Sequence, residues 1–143
     1  MNAPATTPTW KVILILVARL IFAGVFAMAA TFKFADMNAT AGYIAAVGFP
    51  FPLLLAWLAA FFETALVVCL LTGAYFTEAA LLAALYVLFL AFAFHGPALW
   101  KQDDPTEFGF FVDHFTFIAG LLFAAVHGPG SVLALRKSFI ARK

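Results

Sequence analysis

"AWLAAFFETALVVCLLTG", residues 56–73, is long and apolar enough to cross a membrane, apart from one carboxylate, Glu63. An ionised side chain near the centre of a bilayer costs at least about 2.5 kcal/mol on insertion scales, so a carboxylate at that depth is retained only where something neutralises or uses it. The stretch sets two questions: whether the remaining chain is built the same way, and what faces Glu63.

Composition answers the first. Of the 143 residues, 66% are hydrophobic and 10% charged, with a mean hydropathy of +1.06, a balance that no water-soluble surface of this size accommodates. The chain reads as an integral membrane protein whose first partner is membrane lipid. A formal net charge of +1 without clustered Lys and Arg excludes phosphate recognition, so no nucleic acid is expected. The single cysteine, Cys69, cannot form an intramolecular disulfide and reads as a small buried hydrophobe. "MNAPATTPTW" has no basic region ahead of its apolar segment, and that segment carries Arg19 and exceeds a signal sequence in length, so the first helix is expected to be retained.

A hydrocarbon core of about 30 Å needs about 20 helical residues. Four segments supply them, at about 10–34, 53–73, 78–97 and 109–128, followed by a basic tail over 131–143. The first break holds Asp36, Asn38, Gly42 and Gly48, leaves room for a short interfacial helix, and ends at Pro50 and Pro52, which punctuate the next start. The second, "TGAYFTE", is so short that it forces an antiparallel pair, with Gly73 at one helix end and Thr77 as the expected N-cap of the next. The third, "HGPALWKQDDPTEFG", is the most polar stretch. The predicted fold is all-α, one transmembrane domain forming an antiparallel four-helix bundle. Lys11, Arg136, Lys137, Arg142 and Lys143 outweigh Lys33 and Lys101, which puts both termini on the cytoplasmic side of a bacterial-type inner membrane.

Depth arithmetic then addresses Glu63. At 1.5 Å per residue, Arg19 lies about 12 Å and Glu63 about 14 Å above the same surface. The expected buried ion pair is Arg19 with Glu63, bidentate as guanidinium geometry favours; the alternative is a protonated Glu63 bonded to backbone or ligand. Lys33 follows Arg19 by nearly four turns, so Arg19, Ala23, Phe26, Ala30 and Lys33 share one face of the first span, and that face is expected inward. On the last span Asp113, Thr116 and Gly120 form a polar-to-small stripe with His114 one step around, while His95 ends the third span. Lys33, His95, Asp113 and His114 all fall in the outer third, as candidates for ligand binding or proton handling. The alternative for each is local: a histidine satisfying a carbonyl, a lysine reaching the interface.

No HxxxH, ExxH or CxxC spacing occurs, so no metal centre is expected. No serine or cysteine nucleophile shares a helical phase with His114, so a hydrolase is not expected, and no catalytic residue is assigned. His127 abuts the helix-ending "HGPG" and reads as a cap. The nineteen phenylalanines are either lipid-facing packing or, around a few polar groups, the wall of a site for a flat hydrophobic ligand such as a quinone.

The order "ARLIFAGVFAMAATFKF", "YIAAVGFP", an apolar helix bearing Glu63 and ending "LLTG", a "HGPALW" loop and a final "HGPGSVLAL" resembles the DoxX family of small four-helix membrane proteins over nearly the whole chain. The resemblance rests on the order of Arg19, Gly24, Lys33, Gly48, Pro50, Glu63, Gly73, Gly128, Pro129 and Gly130, with one departure, Thr31 where many relatives have glycine. It implies a membrane subunit linked to thiosulfate or quinol oxidation, to oxidative-stress complexes with soluble redox enzymes, or to quinone and catechol resistance, with a polar track from Arg19 and Glu63 to Lys33. Its implied partners are other membrane or peripheral redox proteins, or further copies of itself. Lacking haem ligands, Fe–S cysteines and a dinucleotide loop, the chain is no complete oxidoreductase unless it handles a diffusible quinone. The rival readings are a non-enzymatic assembly factor or structural subunit and a small-molecule carrier.

Overall fold

A computed structural model describes residues 8–135 and 137–140. Residues 1–7 of the N-terminal stretch, and Arg136, Arg142 and Lys143, on which much of the expected orientation rests, lie outside the described residues.

The described chain is helical, and four of its helices are long and apolar enough to span a membrane. Helix α1 runs Thr9–Ala35 without an internal proline and stops at Asp36, which leaves helical geometry and caps α2, Met37–Ala46, its carboxylate accepting from the Ala39 N–H at 2.9 Å. That short helix occupies the first break. Helix α3, Pro52–Thr72, begins on a proline whose missing N–H would have been unsatisfied there anyway. Gly73 closes α3 at φ 72°, a left-handed position where an added Cβ would also lie 2.9 Å from Ala134 Cβ.

Helix α4 spans Phe76–His95 and α5 spans Thr106–His127. The start of α4 differs from expectation. Tyr75, not Thr77, occupies the cap position, and the Thr77 hydroxyl instead donates to Ala125 O on α5 at 3.3 Å. Thr77 already lies inside the helix, where a short hydroxyl serves a neighbouring helix end better than its own. Helix α5 begins three residues earlier than expected, directly after Pro105.

Helix α1 packs chiefly on α3, and α4 on α5. Chain direction opposes within each pair: Arg19 meets Leu70 while Phe34 meets Trp57, and Thr77 meets Ala125 while His95 meets Glu107. The predicted inward face of α1 is found, with Arg19, Ala23, Phe26 and Ala30 its buried residues. Phe22 and Phe26 close the ring of helices against Phe117 of α5. Alanines 80, 83, 84 and 91 are buried along α4, and side chains this small let neighbouring helices approach closely in lipid.

Arg19 explains how one end of this bundle is sealed. An α-helix leaves its last four carbonyls without intrahelical partners. In α3 all four are met: Cys69 O by the Gly73 N–H, Leu70 O by Arg19 Nε at 3.2 Å, Leu71 O by Arg19 Nη2 at 2.8 Å, and Thr72 O by the Leu135 N–H. The same guanidinium donates to Pro129, Val132 and Leu133 carbonyls at 2.8–3.0 Å, so its whole fork is used on backbone. The segment after α5 is thereby tied beneath α3. Further along, Lys137 O accepts from the Tyr75 N–H, and Glu78 Oε1 accepts from the Ser138 hydroxyl and the Phe139 and Ile140 N–H groups.

Candidate functional site

The ion pair expected between Arg19 and Glu63 is absent; Glu63 pairs with Lys33. Lys33 Nζ lies 2.8 Å from Glu63 Oε1, and the Tyr86 hydroxyl donates to the same oxygen at 2.8 Å. The physical reason is an overhang. Helix α1 has 27 residues against 21 in α3, and its excess lies at the end where the chain begins, so Arg19 sits level with the last turn of α3. Glu63 is two turns further in. Lys33 comes down to it because helical side chains lean toward the N-terminus, and its ammonium also approaches Ala29 O, one turn back, at 3.5 Å. Both Arg19 and Glu63 are buried at 2% exposure, as the sequence implied, but in separate networks.

Lys33 and Tyr86 form one polar end of a cavity of about 440 Å³ between α2, α3 and α4, closed on one side by α5. Its walls are largely aromatic and aliphatic: Phe49, Phe62, Phe89, Phe94, Leu58 and Leu90 are among them. Tyr43 of α2 stacks on Phe94 at 5.2 Å and 15°. Burial, and then the Glu107 carboxylate, push the Tyr43 phenol above its ordinary value. Glu63 itself stands behind Lys33 and Tyr86. Its Oε2 is buried and has no partner among the described residues.

At the other polar end His95 and His114 face each other, ring centroids 5.0 Å apart. His95 Nδ1 lies 2.7 Å from Glu107 Oε2, and His114 Nδ1 lies 2.6 Å from Phe110 O, one turn earlier on α5. Of the four candidates Lys33, His95, Asp113 and His114, three therefore line one cavity. Asp113 does not. One residue is about 100° of helix rotation, and with His114 turned inward Asp113 is exposed on the outer face of α5, as is Thr116. Of the Asp113, Thr116 and Gly120 stripe only Gly120 packs against another helix, where an added Cβ would lie 2.9 Å from Phe22 Cζ. His127 does not cap the helix end; its Nδ1 donates to Phe123 O, one turn back, while the Gly128 N–H serves Ala124 O.

Sequence reasoning missed Tyr86 and Glu107. Tyr86 is the one polar side chain between Glu78 and His95, and a phenol in hydrocarbon needs a partner. It lies about 15 Å along α4 from Phe76, and Glu63 lies about 14 Å along α3 from Thr72, so depth matching would have joined them. Glu107 precedes His114 by seven residues, two turns on the same face of α5.

The arrangement is an apolar-walled slot with hydrogen-bonding groups at both ends. No curated protein and no solved structure matches the sequence. The model of the DoxX family matches residues 14–96, which carry Arg19, Lys33, Glu63, Tyr86 and His95. A match over more than half of the sequence, on a fold of four membrane-spanning helices, establishes that the chain belongs to the DoxX family.

Proposed function

We propose that this protein is an integral subunit of a quinone-linked redox system in a bacterial-type cytoplasmic membrane, with both termini on the cytoplasmic side, and that its cavity holds a ligand of the quinone class. The observation that carries the reading is the convergence of Lys33, Tyr86, His95 and His114 on one aromatic-walled cavity of about 440 Å³. That volume lies in the range of small-molecule sites, about 300–1,000 Å³, and the wall chemistry of rings with a few placed polar groups suits a flat, apolar head with an oxygen at each end. Lys33 would orient such a head through an oxygen atom, Tyr86 and Glu63 would hold the lysine in place, and His114 would meet the ring's far side. When bound, the quinone supplies the two-electron chemistry that the protein's own side groups lack. Electrons would come from a partner subunit, which this protein anchors and stabilises.

The test is purification in mild detergent at native expression level, with mass spectrometry of co-purifying proteins and extracted lipophiles, beside an Ala59→Trp variant that fills the cavity. Stoichiometric redox proteins and a quinone retained by the wild type and lost from Ala59→Trp support the reading. Recovery with phospholipid alone overturns it in favour of an assembly factor or carrier.

A further inference from the structure

Six polar side chains line the cavity: Lys33, Thr40, Tyr43, Tyr86, His95 and His114. Four have a hydrogen already committed to a protein acceptor. The Thr40 hydroxyl donates to Asp36 O at 3.2 Å, and the Tyr86 hydroxyl to Glu63 Oε1 at 2.8 Å. A carbonyl can only accept, so His114 Nδ1 carries the proton shared with Phe110 O, and His95 Nδ1 faces the Glu107 carboxylate in the same way. What these four present to a ligand is therefore lone pairs: two hydroxyl oxygens and, in the neutral rings, two Nε2 atoms. Lys33 has three N–H donors, of which one serves Glu63 and a second leans weakly on Ala29 O, leaving one. The Tyr43 hydroxyl is a rotor that can turn either way.

From this inventory we infer that the cavity is built to receive hydroxyl hydrogens, and that it holds the reduced, hydroxyl-bearing form of a ring ligand more tightly than the oxidised, carbonyl-bearing form. The inference rests on reading the cavity as a quinone-class site. A quinone brings acceptors only, so beyond Lys33 and the Tyr43 rotor its oxygens meet lone pairs. A hydroquinone brings two donors, and each of its oxygens still accepts. One hydroxyl can take the Lys33 hydrogen while donating to the Tyr86 oxygen, and the other can donate to His114 Nε2. An acceptor placed against acceptors loses its water at that contact without replacement, which is why sites shaped for hydroxyl groups reject analogues lacking them.

The experiment is equilibrium binding under anaerobic conditions to the full-length protein in lipid nanodiscs, with one short-tailed benzoquinone and its hydroquinone as the paired probes. The expected result is a dissociation constant at least about tenfold lower for the hydroquinone. Such a ratio raises the midpoint potential of the bound two-electron couple by about 30 mV, which an equilibrium redox titration of the loaded nanodiscs reads independently. His114→Phe is expected to shrink the ratio, weakening hydroquinone binding more than quinone binding. The wild-type comparison decides the matter even where that variant folds poorly. Quinone bound as tightly as hydroquinone, or more tightly, overturns the inference and leaves the quinone-class site standing. Binding of neither probe overturns the site and the inference together.

Discussion

Lys33 and Glu63 are held 2.8 Å apart with Glu63 at 2% and Lys33 at 20% side-chain exposure, one from the last turns of α1 and one from the middle of α3. Neither charge has another oppositely charged partner among the described residues, so each depends on the other. Breaking a buried pair by removing one member costs about 3–5 kcal/mol, whereas removing both costs less, because no charge is then stranded. Glu63→Gln and Lys33→Met are each expected to destabilise by about 3 kcal/mol, and the double variant by less than the sum. A double-mutant cycle on reversible unfolding in detergent reads this, and simple additivity would refute the pairing.

The second carboxylate contact supplies a contrast. His95 and Glu107 are as close, 2.7 Å, but Glu107 is 35% exposed at the mouth of the bundle. Water competes with so exposed a contact, which keeps its net contribution near the low end of the roughly 0.5–1.5 kcal/mol of an ordinary hydrogen bond. Glu107→Gln is expected to shift stability by less than about 1 kcal/mol in the same assay that shows a large effect for Glu63→Gln.

For Arg19 the charge matters less than the fork. A lysine has three donors on one point and cannot reach carbonyls on both α3 and the segment after α5. Arg19→Lys should leave that segment untied, and limited proteolysis is expected to cut beyond His127 at least several-fold faster than in the wild type. Equal protection in both proteins would show that the carbonyl contacts do not hold the segment.

Two glycines separate backbone strain from ordinary packing. Gly73→Ala meets a left-handed backbone at φ 72° and Ala134 Cβ at 2.9 Å, while Gly24→Ala on α1 meets nothing within 4 Å. The first is expected to cost about 1–3 kcal/mol by forced left-handed geometry and crowding. The second should be neutral or stabilise by up to about 1 kcal/mol. Comparable loss in both would remove the special role of the α3 terminus.

Asp113 and His114 are neighbours in sequence with opposite assignments. Asp113→Leu is expected to leave quinone-class binding unchanged, while His114→Phe weakens hydroquinone binding. Relieving a lipid-facing carboxylate should raise stability by about 1–2 kcal/mol, a fraction of the bilayer-centre cost because Asp113 lies near one end of its span. Loss of ligand on Asp113→Leu would place the carboxylate in the site.

What could be read from the sequence divides along physical lines. Hydropathy specifies the four spans because a continuous apolar run of about 20 residues satisfies its backbone polar groups in lipid as a helix. The inward face of α1 followed from period alone, since Arg19, Ala23, Phe26 and Ala30 lie on one stripe, and the burial of Glu63 followed from its cost in lipid. Partner choice did not follow. Matching Arg19 to Glu63 assumed that α1 and α3 end at one level, and an overhang of a few residues at about 1.5 Å each carried Arg19 to the α3 terminus instead. The rotation of α5 was equally invisible, because apolar residues facing lipid and apolar residues facing protein look alike.

The five carbonyls around Arg19 have a temporal meaning as well. Pro129 is 110 residues beyond Arg19, so at about 5–20 residues per second the ribosome emits the last acceptors of that guanidinium roughly ten seconds after the arginine itself. Until then only Leu70 and Leu71 of its lasting partners have been made, and three of the five carbonyls that hold the cation are still to come. The segment after α5 is accordingly the closing stitch of biogenesis: it brings the last three of the carbonyls on which the Arg19 fork closes.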